Sequence, residues 1–188
     1  SADFVGSLCD EWRRRGHGQA VFVNGALGAM ISPNVKQRNM AGVVSFGQRA
    51  CDLCEVALAS SSPMPVDAIE VRRADVYLPM VAAAFRIGRL TTALQRDVFS
   101  GAARTSVGYL RMGAFEAVAI PGEMEPALAE QLRGQLGRPD LAIFGLCDDE
   151  VGYLMREQEA VDPLYAYERS MSPCRSAGER VRRALSGR

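Results

Sequence analysis

Two short apolar runs, each ending in polar residues, constrain the fold of this chain more than any other feature. The first runs from Gly113 to Glu123 and the second from Leu141 to Tyr153. Between them the apolar side chains recur every four residues, as in an amphipathic helix, at Met124, Leu128, Leu132 and Leu136. A strand–helix–strand order is typical of parallel neighbours, whose sites form beyond the carboxyl ends of the strands. We therefore expect Glu123 and the loop 148–153 to lie at one edge of one sheet.

The rest of the chain alternates between helical and extended patterns. Helical spacing predicts helices over residues 2–15 and 38–59, and β-forming residues predict strands over 19–24 and 67–78. A hairpin is expected to turn at Met112–Gly113. This order predicts an α/β fold with a mixed, largely parallel sheet, flanked by helices and including an antiparallel hairpin. Because no linker divides residues 1–188, we expect a single domain or half of a larger catalytic domain.

Composition excludes several classes of protein. The 188 residues carry no formal net charge, so no general attraction to nucleic acid is expected. No run approaches the ~20 apolar residues of a membrane span, and no secretory signal begins the chain. Five cysteines are an odd number in a chain too large to need disulfides, which indicates a reducing compartment and predicts a cytoplasmic protein.

Histidine and cysteine limit the metal chemistry available to the chain. His17 is the only histidine, in an Arg-Gly-rich turn where we expect a solvated side chain. A His-based triad or a His-rich metal site therefore cannot be assembled from this sequence by itself. Cys51 and Cys54 form a CxxC within a predicted helix, but zinc would need two more ligands, so we interpret them as buried apolar residues.

The polar residues at the two strand ends allow two interpretations. Glu123 lies where a strand meets a helix, so either Glu123 or Glu125 can complement the helix dipole, or Glu123 can act as a ligand or base. The acidic residues 148–150 are typical of a solvated loop, but their place after a buried strand also suits a site. Tyr153 follows Gly152, which allows a sharp turn that aims the ring, although tyrosine is more often a packing residue.

A glycine-rich loop follows the first predicted strand. It contains Asn24, Gly25 and Gly28 and leads to Ser32, just before a proline. Such a loop can present backbone N–H groups to an anion. The loop is neither a Walker loop nor a GxSxG elbow, so the motif alone defines no reaction.

Five segments in order resemble the neutral/alkaline, non-lysosomal ceramidase-like family. They are SADFVG (1–6), VFVNGALGAMISPN (21–34), YLRMGAFEAVAIPGE (109–123), GLCDDEVGY (145–153) and YERSMSP (167–173). This resemblance implies a zinc-dependent amidase that cleaves the N-acyl bond of ceramide-type lipids. It implies that Glu123 and Tyr153 are zinc ligands and that Ser32 is catalytic. Supporting positions would be Asn24, Gly25, Gly28, Gly122, Asp148, Asp149 and Gly152.

The sequence also departs from the family pattern. The family's other zinc ligands are histidines that precede the SADF-like segment, so we expect an upstream segment or a second chain to supply them. The chain begins within a motif, which favours a fragment of a larger catalytic domain. The family's GDxSP loop reads GAMISP here, so Ala29 stands near the aspartate position and the register of Ser32 changes.

Whether the chain is an enzyme therefore depends on which of three hypotheses holds. The first is the catalytic half of a zinc amidase that acts on a lipid or small-molecule amide. The second is a non-catalytic ceramidase-like relative that acts as a binding or structural domain. The third is an N-terminal-nucleophile hydrolase that uses Ser1 and its free amine.

Overall fold

The computed structural model describes residues 2–29, 37–91 and 98–187. They form two compact units. The helical unit comprises residues 2–23 and 37–64, and the sheet unit comprises residues 24–29 and 65–187 without the segment 92–97. The predictions for Ser1 and Ser32 lie outside the described residues.

The helical unit is a pair of packed helices, α1 (Asp3–Arg14) and α2 (Met40–Ala59). Asn39 begins α2, because its side chain accepts a hydrogen bond from the Gly42 N–H at 3.0 Å. The helices approach closely where Gly47 faces Ser7, since a Cβ added to Gly47 would lie 2.6 Å from the Ser7 Cβ. Both helices were predicted from apolar spacing, and both predictions are confirmed.

Charged side chains connect the two helices of this unit. Arg15, just after α1, pairs with Glu11 of α1 at 2.7 Å and with Glu55 of α2 at 2.6 Å. His17 is also held by this network, since its Nε2 lies 2.7 Å from Glu55 and its ring stacks on Trp12 with centroids 4.2 Å apart. His17 is nevertheless an exposed residue, as predicted, and these two contacts orient its ring.

The sheet unit contains one mixed sheet and one short strand pair among its described residues. The sheet strands are β1 (Ile69–Pro79), β2 (Val98–Phe99), β3 (Ala102–Met112), β4 (Phe115–Ala119) and β6 (Ala142–Phe144). Their order is β1-β3-β4-β6, and β2 pairs with β3. The separate pair consists of β5 (Glu123–Met124) and β7 (Tyr153–Leu154).

Strand directions confirm a mixed sheet but with a smaller parallel part than we expected. β4 and β6 are parallel, as predicted, with Val118 opposite Ile143. β3 and β4 form the predicted hairpin, in which Met112 faces Phe115 and Gly113 has a φ of +57°. β1, β2 and β4 all run antiparallel to β3. The expectation of a largely parallel sheet is corrected here, because the long strand β3 pairs antiparallel with all three of its partners.

The sheet unit also contains four helices among its described residues. They are α3 (Ala83–Leu90), α4 (Pro126–Leu136), α5 (Ala166–Ser170) and α6 (Ala177–Ser186), with 3₁₀ turns at Glu159–Val161 and Pro163–Tyr165. The predicted α4 stripe is confirmed, since Leu128 and Leu132 are fully buried. They join Val118, Ile120 and Val181 in one apolar core, whose burial is the main source of stability.

The sequence determines where α4 begins and ends. Glu125 is the N-cap, and its carboxylate accepts hydrogen bonds from the N–H groups of Ala127 and Leu128, both at 2.9 Å. Pro126 occupies the first turn, where its missing N–H has no consequence. Gly137 ends the helix in a left-handed conformation with a φ of +63°.

Two sequence-based expectations outside the core have different outcomes. The apolar run 19–24 is not a buried strand: Val21 is 88% exposed, and Asn24 alone forms a β-bridge. Cys51 is fully buried, as predicted, whereas Cys54 is partly exposed. Within the described part of the chain, no helix is long and apolar enough to cross a membrane.

Candidate functional site

The two strand-end motifs meet in the β5–β7 pair. These strands are parallel, and Glu123 is the register partner of Tyr153. The Glu123 N–H donates to the Gly152 carbonyl at 3.1 Å, and the Glu125 N–H donates to the Leu154 carbonyl at 2.9 Å. Register partners in adjacent strands project to the same side of the pair. The prediction that Glu123 and the loop 148–153 share one edge is therefore confirmed.

Glycines allow the backbone segments around this pair to approach closely. A Cβ on Gly122 would lie 2.5 Å from the Gly152 carbonyl oxygen, and a Cβ on Gly28 would lie 2.5 Å from the Glu123 carbonyl oxygen. Gly152 has a φ of +89°, and a Cβ there would overlap the carbonyl oxygen of Met171. Side chains at these positions would separate the segments that hold Glu123 and Tyr153.

The local geometry decides which glutamate serves the helix dipole. Both carboxylate oxygens of Glu125 accept hydrogen bonds from the first turn of α4, so Glu125 fills the capping position. Glu123 lies two residues earlier, in β5, and does not cap the helix. Its carboxylate is therefore available for other chemistry.

Glu125 is also part of a buried charge network. Arg156 follows β7, and its guanidinium pairs with Glu159 and lies 3.5 Å from Glu125. The residues Glu125 and Glu159 are each only 7% exposed. One arginine therefore compensates two buried carboxylates and ties the end of β7 to the start of α4.

Tyr153 is buried beside negative charge. The residue is 7% exposed, and its backbone N–H donates to the Met171 carbonyl at 3.3 Å. Burial, together with the charge of Glu123 and a hydrogen bond to it, raises the pKa of the Tyr153 phenol to about 12. The phenol is therefore protonated at neutral pH. Burial and the negative charge of Glu123 disfavour the phenolate, whereas the same negative charge would attract a cation.

The glycine-rich loop lies beside these strands. The Gly28 N–H donates to the Met124 carbonyl at 2.9 Å, and the Asn24 carbonyl accepts from the Gly145 N–H at 2.8 Å. A Cβ on Gly145 would overlap the Gly25 carbonyl. The predicted supporting residues Asn24, Gly25 and Gly28 thus pack against the two strand ends through their backbones.

The two aspartates have identifiable partners in the main sheet. Asp148 pairs with Arg73 of β1 at 2.9 Å, and Asp149 accepts a hydrogen bond from the Thr105 hydroxyl at 2.6 Å. These contacts tie the loop before Tyr153 to β1 and β3. They suit the supporting position that the resemblance implies for both residues.

Sequence reasoning missed two residues that lie against the pair. The ring of Tyr167, in α5, meets the Tyr153 ring edge to face, with centroids 6.1 Å apart. The next residue, Glu168, also contributes negative charge that raises the pKa of Tyr153. The available signal was the YERSMSP segment, which carried part of the resemblance without being assigned to a site.

The described residues fit part of a zinc shell. Glu123 and Tyr153 offer a carboxylate and a phenol oxygen, whereas a structural zinc site has four ligands, typically nitrogen or sulfur. Across residues 2–29, 37–91 and 98–187, no group of three His, Cys, Asp or Glu side chains could hold a metal ion. A zinc ion bound by Glu123 and Tyr153 would therefore need further ligands besides these two residues.

The α/β fold of this chain is similar to that of two solved ceramidase structures. Neutral ceramidase from Pseudomonas aeruginosa is 13% identical and matches with a TM-score of 0.67 over 100% of this chain. A ceramidase complexed with C2 is 11% identical and matches with a TM-score of 0.70 over 99% of this chain. This chain spans 41% of the length of each. No protein-family model and no curated protein sequence matches it.

Proposed function

We propose that this chain contributes part of a zinc-dependent, amide-hydrolysing site of ceramidase type. Glu123 and Tyr153 would be two of the metal ligands, and histidines from outside this sequence would complete the shell. The substrate would be an N-acyl amide, of which a lipid amide is the member suggested by the names of both structural neighbours.

One observation carries this proposal: the parallel pairing of β5 and β7 brings Glu123 and Tyr153 together, while Glu125 serves the helix in place of Glu123. The partly exposed carboxylate of Glu123 thus lies beside the buried phenol of Tyr153 and does not cap α4. The shared fold with two ceramidases supports the same interpretation.

The chemistry of the two residues suits a divalent cation. Both offer oxygen donors, and the phenol of Tyr153 would release its proton on ligation, because the ligand form is the phenolate. Glu123 would supply a carboxylate oxygen as the second donor. Zinc, when bound, supplies Lewis-acid polarisation of an amide carbonyl and activation of water.

Ser32 stays a predicted catalytic residue by resemblance, since it lies outside the described residues. A serine hydroxyl near the metal ligands would bind or activate a water or the acyl carbonyl. Asn24, Gly25 and Gly28 precede Ser32 in the sequence, and the Gly28 N–H donates to the Met124 carbonyl, next to Glu123.

The alternative is a non-catalytic ceramidase-like domain. It is favoured by the donor count, because the described residues hold no group of three conventional metal-binding side chains. Such a domain would keep the β5–β7 pair as a structural or binding element.

Zinc binding by the 188-residue chain tests the proposal. Competition with a chromophoric chelator would measure zinc affinity in the wild type, in Glu123→Gln and in Glu130→Gln. Glu130 is an exposed residue of α4, so its substitution is a matched control. The ultraviolet difference spectrum would report whether zinc converts one tyrosine to tyrosinate, and Tyr153→Phe would identify which one.

We expect one weak zinc site in the wild type, a loss of at least about tenfold in Glu123→Gln, and no change in the control. The tyrosinate signal should vanish in Tyr153→Phe. Equal zinc affinity in the wild type and in Glu123→Gln, with no tyrosinate signal, would refute the assignment and favour the non-catalytic domain.

A further inference from the structure

A cavity of about 300 Å³ lies beside the β3–β4 hairpin in the sheet unit. This volume is at the lower end of the range for small-ligand sites. The charged residues that line it come from β1, β3, β4 and the turn after α4, and they are Glu70, Arg72, Arg111, Glu116 and Arg138. None of its described lining residues belongs to β5, β7 or the loop 148–153, so the cavity is separate from the candidate metal site.

The charged strand residues of this cavity lie on the face of the sheet that elsewhere packs into the core. Arg111 of β3 is the register partner of both Glu70 and Glu116, and the next pair on this face joins Tyr109 to Val118. Side chains two residues apart along a strand project to the same side. Because Val118 is buried in the apolar core, Glu116 lies on the core face as well. Where the sheet reaches the cavity, charged residues thus replace apolar ones.

Three guanidinium groups share two carboxylates among the described residues that line the cavity. Glu70 pairs with Arg72 and, at 3.1 Å, with Arg111. Glu116, whose side chain is 12% exposed, lies 3.3 Å from Arg138. One positive charge therefore remains. Each of the three arginine side chains is more than half exposed, so its other N–H groups can reach a ligand.

The cavity also has an apolar lining. Four aliphatic side chains, three of them buried in the core, contribute to it: Val118, Leu136, Leu141 and Leu185. The Tyr109 hydroxyl donates to Glu116 at 2.7 Å, and the Arg72 guanidinium carbon lies 6.0 Å from the centre of the Tyr109 ring. Guanidinium groups next to aliphatic and aromatic surface suit a ligand with an anionic head and an apolar body.

We infer that this cavity binds an amphipathic organic anion, with its carboxylate or phosphate head on the arginines and its apolar body on the aliphatic lining. The N–H pairs of a guanidinium match two oxygens of either head group. This inference goes beyond the proposed function and does not involve zinc. The alternative is a cluster of cross-strand ion pairs that holds no ligand and only adds to stability.

The test uses the 188-residue chain without metal, in the presence of EDTA. Heteronuclear NMR titrations would measure affinity and map the shifted backbone amides. The probes are octanoate and octyl phosphate, with acetate as a head without a chain and 1-octanol as a chain without a charge. Arg111→Gln removes one guanidinium of the cavity. Arg104→Gln is the matched control, because Arg104 also lies in β3, is similarly exposed and pairs with Asp75 of β1, but on the opposite face.

We expect octanoate, octyl phosphate or both to bind at least about tenfold more tightly than acetate and 1-octanol, because only they use the arginines and the apolar lining together. Arg111→Gln should weaken the tighter probe at least about tenfold, as expected for a lost hydrogen bond to a charged group. Arg104→Gln should bind it like the wild type. The tighter probe identifies the head group as carboxylate or phosphate. Circular dichroism would verify folding, and Arg138→Gln takes the place of Arg111→Gln if that variant does not fold.

Three results would overturn the inference. If 1-octanol binds as tightly as the two anions, the cavity is an apolar pocket without selectivity for charge. If Arg111→Gln and Arg138→Gln both bind the anion like the wild type, the anion lies elsewhere. If neither octanoate nor octyl phosphate binds the wild type while Arg111→Gln lowers the thermal midpoint, the charged cluster is purely structural. Because the measurement contains no metal, each of these results leaves the zinc proposal standing.

Discussion

Replacement of Gly152 by alanine should destabilise the sheet unit and disturb the candidate site. Gly152 has a φ of +89°, where an alanine is strained by about 2 kcal/mol. The new Cβ would also overlap the Met171 carbonyl oxygen, and overpacking of this kind costs about 2 kcal/mol. The expected loss in the free energy of unfolding is therefore about 4 kcal/mol, the sum of these two estimates.

Gly101→Ala is the matched control for the backbone contribution. Gly101 has a φ of +82°, but nothing lies within 4 Å of the Cβ that alanine would add. We expect this control to lose only the strain of about 2 kcal/mol. The difference between the two variants then measures the contact with Met171.

The tyrosines and the tryptophan allow each unit to be followed separately. The single tryptophan, Trp12, belongs to the helical unit. All five tyrosines belong to the sheet unit, at Tyr77, Tyr109, Tyr153, Tyr165 and Tyr167. Urea unfolding followed by the near-ultraviolet tyrosine signal should shift strongly in Gly152→Ala, whereas the Trp12 signal should not. Equal losses in Gly152→Ala and Gly101→Ala would refute the argument from close approach.

Two further predictions concern charged groups. Arg156→Met should lower the free energy of unfolding of the sheet unit in urea by about 3 kcal/mol, because it leaves Glu125 and Glu159 buried without their cation. This value is the low end of the range for breaking a buried ion pair, because the Arg156 side chain is 29% exposed. A loss as small as the ~0.5 kcal/mol expected for an exposed arginine would contradict this reasoning. In the helical unit, hydrogen bonds from Arg14 and Arg15 lower the pKa of Glu11 from 4.5 to about 2. Because the folded pKa is the lower one, Glu11 stabilises the unit above pH 4.5, and this contribution should disappear as the pH falls towards 2. Fluorescence of Trp12 would monitor it, and a Glu11→Gln variant with the same pH profile as the wild type would contradict the prediction.

Local patterns predicted the part of the fold whose contacts are close in sequence. The stripe through Leu128 and Leu132 identified α4, and Gly113 marked the hairpin, because periodicity and turn residues act over a few positions. The parallel pairing of β4 with β6 followed from the intervening helix. The antiparallel pairing of β1 with β3 was not foreseen, since a long connection carries no local signal of strand direction.

The candidate site was predicted only as far as the chain order implied it. The meeting of Glu123 and Tyr153 followed from two strands that end at one edge. Tyr167 and Glu168 were missed because tertiary contacts, and not local sequence, bring α5 to Tyr153. The run 19–24 was mistaken for a buried strand because apolar β-forming residues look alike whether or not a sheet covers them, and here Val21 is exposed.

The glycines around the β5–β7 pair identify this arrangement better than its reactive side chains do. Glutamate and tyrosine occur in many surface loops, so their presence says little in a chain that is 11% to 13% identical to proteins of the same fold. Gly28, Gly122 and Gly152 are required by backbone contacts that any larger residue would break. A sequence template that first requires small residues at these three positions would select chains able to form this strand pair. The side chains beside the glycines would then distinguish the chemistry of each chain.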